Sequence, residues 1–70
     1  MNKKLNKIIE IPCEEDVKEE IASRVREYLI DNDDYINGNI LVQSNRFEAV
    51  DVIFYEGCSN ISELSRILTS

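Results

Sequence analysis

The sequence predicts an α+β domain of order β-α-β-β-α, and three observations carry that prediction. Residues 47–56 form the longest run of β-branched and aromatic character and read as a central strand. Residues 14–31 place apolar side chains at a period of 3.6 and read as one amphipathic helix. Two short apolar runs, 5–11 and 39–43, have strand length and lie beside Pro12 and the Asn37-Gly38 turn signal.

In order along the chain, residues 1–4 are expected to be frayed. The first strand, 5–11, sets Leu5, Ile9 and Ile11 on one side with Lys7, and Ile8 and Glu10 on the other. Pro12 ends it. Cys13 then falls near a helix N-cap, and Glu14, Glu15 and Asp16 complement the positive end of the helix dipole. Val17, Ile21, Val25, Tyr28 and Leu29, with Ala22 beside them, form the apolar stripe. Glu14–Lys18 and Glu20–Arg24 have the acid-first i, i+4 order that favours ion pairing. The acids Asp31, Asp33 and Asp34 then sit at the unfavourable, negative end of the dipole and imply an exit into a solvated loop.

After the Asn37-Gly38 turn, strand 39–43 is followed by Ser44-Asn45-Arg46, a polar turn leading into the central strand. So short a link between two strands requires an antiparallel hairpin. In the central strand Val50, Val52 and Phe54 share one face. Phe47, Ala49, Asp51, Ile53 and Tyr55 share the other. Gly57 closes the hairpin. Asn60, with Glu63 three residues on, caps a second helix whose stripe is Ile61, Leu64, Ile67 and Leu68.

A right-handed crossover makes strands one and two parallel, and strand three fits antiparallel between them. The result is a three-stranded mixed sheet in the order 1-3-2, with both helices on one face. This resembles a ferredoxin-like β-α-β-β-α-β unit that lacks its last strand. The resemblance is topological, spans the chain and brings no functional motif. It implies an open edge on strand one and a sheet face that no helix covers.

Seventy residues suffice for one small domain, 1–70, with a marginal core. Such domains draw extra stability from disulfides, metals or partners. Only two cysteines are present, Cys13 and Cys58. The Lys-rich start has too short an apolar run for a secretion signal, and no lipoprotein cleavage pattern precedes Cys13. No run approaches the ~20 apolar residues of a membrane span. These features predict a cytoplasmic protein with reduced thiols, no membrane association, and stabilisation by self-association or a partner.

The net charge is −6, and it is unevenly distributed. Residues 1–12 carry +2, residues 13–34 carry −6, and the remainder −2. Direct nucleic-acid binding, which depends on Lys and Arg neutralising phosphates, is not expected. An acidic surface serves solubility or a basic partner.

Catalytic chemistry finds little support. Histidine is absent, which removes the commonest general base and metal ligand. Two thiols without a CxxC pair make small part-buried cysteines rather than a zinc site. The 31–34 run fails as a calcium loop, because the sixth and twelfth positions are Ile36 and Val42. The only glycines, Gly38 and Gly57, make no phosphate loop. Tyr55 and Phe47 resemble the stacking residues of sheet-based RNA binders, but Asp51 sits among them. No enzyme activity, metal or cofactor is expected.

Interaction remains. Asp16, Glu19, Glu20 and Glu27 form rows on the acidic helix that can imitate phosphates. This predicts an inhibitor, antitoxin-like or virus-type, that binds a basic protein surface of the kind that handles nucleic acid. The face formed by Phe47, Ala49, Asp51, Ile53 and Tyr55 is a second candidate contact surface. A structural or regulatory homodimer is expected to form through this face or through the open edge of strand one, and a small-molecule sensor would hold its ligand at a subunit junction of the open sheet.

Overall fold

A computed structural model describes residues 3–69. β1 (Leu5–Pro12) leads through a 3-10 turn (Glu15–Val17) into α1 (Lys18–Leu29). A short helix, α2 (Asp33–Ile36), precedes the hairpin of β2 (Ile40–Asn45) and β3 (Ala49–Tyr55), and α3 (Ile61–Thr69) follows. The strand order is β1-β3-β2. β1 and β2 both pair antiparallel with β3, so they run parallel to each other on its two flanks. The strand order is as expected, but the sheet is antiparallel throughout rather than mixed, because β1 and β2 each pair only with β3.

The core lies between one sheet face and the helices. Ile9 of β1, Ile40 and Val42 of β2, and Val50, Val52 and Phe54 of β3 meet Ala22, Val25 and Leu29 of α1 and Leu64 of α3. α1 lies against β2 and β3, and α3 against β1. The α3 N-terminus is where Asn60 was expected to cap it: the Asn60 carbonyl accepts the Leu64 N–H at 3.0 Å.

Several expectations shift. Lys3 and Lys4, expected within the frayed start, both make hydrogen bonds to the rest of the fold. Lys3 Nζ donates to the Asn37 carbonyl and to Asn39 Oδ1, and the Lys4 carbonyl accepts the Glu56 N–H. Met1, Asn2 and Ser70 lie outside the described residues. α1 begins four residues later than expected because residues 15–17 wind as 3-10. That tighter turn stacks positions i and i+3, so Lys18 pairs with Glu15 at 2.7 Å instead of with Glu14. The expected Glu20–Arg24 pair forms at 3.3 Å. Cys13 caps nothing; its N–H extends the β1–β3 ladder to the Glu48 carbonyl.

The α1 stripe centres on Ala22, Val25 and Leu29, and Tyr28 falls about 100° away from Leu29 and is exposed. The acidic run does not end in a solvated loop either. The Asn32 side chain caps α2 by accepting the Asp34 and Tyr35 N–H groups, and Asp34 is buried.

The hairpin turn lies two residues later than Ser44-Asn45-Arg46. β2 continues to Asn45, and the loop is Arg46-Phe47-Glu48, with Glu48 left-handed at φ 58°. A three-residue hairpin loop needs such a residue at its end. Asn45 Oδ1 initiates it by accepting the Phe47 N–H at 2.7 Å. Phe47 therefore leaves the strand. It lies at the loop tip, 71% exposed, with the Arg46 guanidinium 5.0 Å from its ring centre.

Candidate functional site

Among the described residues, no helix covers the sheet face opposite α1 and α3. Strand alternation and the two ladder registers define it. Ile8, Ile53 and Leu41 stand side by side across β1, β3 and β2. Ile8 is 46% and Leu41 42% exposed, while Ile53 between them is only 8% exposed. The flanking pair Leu5–Tyr55 widens the apolar row on one side. Leu5 shares this face rather than that of Ile9 and Ile11, because the ladder register shifts between Leu5 and Lys7.

On the other side of the row, Glu10, Asp51 and Gln43 align. Like charges directly opposite each other across a ladder are unfavourable, and here the Asn45 amide relieves them. Its Nδ2 donates to Asp51 Oδ1 at 2.9 Å and to Glu10 Oε2 at 3.5 Å. No strand residue on this face carries a positive charge. Of the side chains expected here, Ala49, Asp51, Ile53 and Tyr55 are in place, and Phe47 is not. Ile8 and Leu41, the exposed parts of the row, were missing from that expectation. Their signal was the alternation in the two outer strands, read through the ladder registers.

The acidic residues of the helix divide into two sets. Asp16, Glu20 and Glu27 are exposed and face away from the sheet, and Glu20 is engaged by Arg24 between it and Glu27. Glu19 turns toward the sheet, where its Oε1 accepts the Ser44 hydroxyl at 2.9 Å. Two turns on, Arg26 donates to the Val42 carbonyl at 3.1 Å. Lys18, buried, donates to the Asn45 carbonyl. α1 thus lays three polar side chains against β2, at Asn45, Ser44 and Val42.

A third cluster ties α2 to the segment between β3 and α3. Asp34 Oδ2 accepts the Ser59 N–H at 3.2 Å, the Ser59 hydroxyl at 3.3 Å and the Cys58 thiol at 3.5 Å. Asp34 Oδ1 accepts the Asn39 amide at 3.5 Å. Burial alone pushes the Asp34 carboxyl up, but the hydrogen bonds from Ser59, Asn39 and Cys58 outweigh it and hold the group below its ordinary 3.8. Burial pushes the Cys58 thiol above its ordinary 9.0, and the Asp34 charge adds to the rise against the lowering effect of the Asn60 backbone. Cys58 is thus a protonated donor at neutral pH, which suits a structural contact and not a nucleophile.

Among the described residues, no three Cys, Asp or Glu side chains gather where they could hold a metal ion. None of the described helices is long and apolar enough to cross a membrane. No protein-family model, curated protein or solved structure matches the chain.

Proposed function

We propose that this chain is a small protein-interaction module that docks a basic protein surface on its uncovered sheet face. The observation that supports this reading is the pairing of an apolar row, Ile8–Ile53–Leu41, with the carboxylates of Glu10 and Asp51 on a face with no cation of its own. A second copy docked face to face brings the same carboxylates and no counter-charge. A partner with Lys or Arg beside an aliphatic patch satisfies both rows at once.

The acidic helix supports a second reading, in which Asp16, Glu20 and Glu27 enter a basic groove as phosphate mimics. Against it, Arg24 interrupts their row and Glu19 is occupied by Ser44. Both readings make the chain a binder, of the inhibitor type, rather than an enzyme.

Capture of partners from native-cell extract discriminates the two readings. A partner that is retained by the unmodified protein and eluted by salt is expected to be lost with Ile8→Ser and Asp51→Asn. It is expected to persist with Glu20→Gln and Glu27→Gln. The opposite pattern moves the site to the helix, and a partner held equally by all four variants discards both surfaces.

A further inference from the structure

We infer that β1 pairs edge to edge with β1 of a second copy, giving a closed dimer with one continuous six-stranded sheet. The two sheet edges are unequal. The Tyr55 N–H donates to the Asn39 carbonyl, which marks 39 and every second residue after it as bonded to β3. Ile40, Val42 and Ser44 therefore turn their backbone groups outward on β2, and α1 guards that edge. Arg26 occupies the Val42 carbonyl, and Glu19 holds the Ser44 side chain.

On β1 the Cys13 N–H to Glu48 carbonyl bond sets the same alternation. Ile9 and Ile11 bond inward, and Ile8 and Glu10 turn their N–H and C=O groups outward. Among the described residues no hydrogen bond reaches those outward groups. α3 packs against β1 from the core side, where it contributes Leu64.

Three features favour a second copy as the occupant. First, the exposed stretch is bracketed. The ladder irregularity between Leu5 and Lys7 limits it at one end, and Pro12, which has no N–H to donate, limits it at the other. A two-fold axis at Ile9 then places Ile8 opposite Glu10 of the other copy, twice over. Each such pair exchanges two backbone hydrogen bonds, so four form in total.

Second, the strand is electrostatically polarised. Lys4 and Lys7 lie toward its start, and Glu10, Glu14 and Asp16 lie at and beyond its end. Antiparallel pairing sets the basic end of one copy beside the acidic end of the other. Parallel pairing would set like against like. Third, the assembly terminates. Once β1 is used, both outer edges of the joined sheet are β2 edges, where Arg26 of α1 already takes the Val42 carbonyl at the middle of the strand, so the symmetry closes at two copies.

This inference is independent of the proposed docking face, which stays open on both copies. Two measurements over a protein series from 10 μM to 1 mM test it. The mass in sedimentation equilibrium is expected to rise from 8.1 kDa toward twice that value. Over the same series the Ile8 and Glu10 amide protons, which face solvent in the single copy, are expected to slow in hydrogen exchange at least tenfold. Glu10→Pro, which removes an outward N–H and no ladder bond, and Lys4→Glu combined with Lys7→Glu should each hold the mass at 8.1 kDa. Leu41→Ser should leave association unchanged. A mass that stays at 8.1 kDa throughout overturns the inference, as does a dimer in which the Ile8 and Glu10 amides still exchange fast. The exchange measurement uses the unmodified chain, so it decides the matter even where Glu10→Pro fails to fold.

Discussion

The Asp34 carboxylate accepts the backbone N–H of Ser59 at 3.2 Å, which anchors α2 to the segment that launches α3. Because the carboxyl is held below its ordinary 3.8 in the fold, its contribution to stability is full above the unfolded value. That contribution is lost as pH falls through the folded value. Urea unfolding followed from pH 6 down to pH 2 should therefore show a declining midpoint in the unmodified protein. Asp34→Asn should unfold about 1–3 kcal/mol more easily at pH 6, since the amide cannot accept the same set of donors. Its midpoint should also change less with acid. A variant as stable as the parent at pH 6 would assign the cluster no structural weight.

The Cys58 thiol donates to the same carboxylate oxygen, and it is buried and raised in pKa. Cys13 is only partly buried. A maleimide at pH 7.5 should label Cys13 in the native state well before Cys58, and Cys58 should become reactive when urea unfolds the chain. Mass spectrometry of digested samples reads the two sites separately. Equal native rates would place Cys58 in solvent.

The order 1-3-2 and the core face of the sheet were legible because they follow from strand periodicity and crossover geometry alone. Val50, Val52 and Phe54 alternate in sequence, and all three are buried against the helices. What escaped the sequence depended on single side chains folding back on the backbone. Asp34 belongs to an acidic run whose other members face solvent, and nothing local distinguishes the one that Ser59 and Cys58 enclose. Phe47 looks like strand because its neighbours do, whereas the turn is set by Asn45 capturing the Phe47 N–H and by Glu48 accepting a left-handed φ. Asn45 was readable as a turn residue; the displacement of the turn by two positions was not. The candidate docking face was half legible. The residues of the central strand were in view, but Ile8 and Leu41 needed the registers of both flanking strands.

The two sheet faces can be tested on consecutive residues of β2. Val42 is 3% exposed on the helix side, and its neighbour Leu41 looks out on the open face. Val42→Asp should abolish cooperative unfolding, because an unpaired carboxylate in the core costs several kcal/mol in a domain of marginal stability. Leu41→Asp should stay folded, with a loss of about 1 kcal/mol from reduced contact with Ile53. Circular dichroism melts compare them directly. Similar melts for the two would reverse the face assignment on which the docking surface rests.

The hairpin loop stores backbone strain that can be removed. Glu48 holds φ 58°, and a left-handed conformation costs a side-chain-bearing residue roughly 1–2 kcal/mol relative to glycine. Glu48→Gly relieves that cost but gives the unfolded chain more freedom to lose, so a net gain of about 0.5–1 kcal/mol is expected. Gly38 offers the reverse experiment. At φ 80° it has the same need without a side chain, and an added Cβ would lie 3.4 Å from Lys3 Nζ. Gly38→Ala should therefore destabilise by about 1 kcal/mol or more, with strain rather than collision as the main cause. The two substitutions must move the denaturation midpoint in opposite directions. If Glu48→Gly lowers it instead, the Glu48 side chain contributes contacts that offset its backbone strain, and the loop would be held by more than the Asn45–Phe47 hydrogen bond.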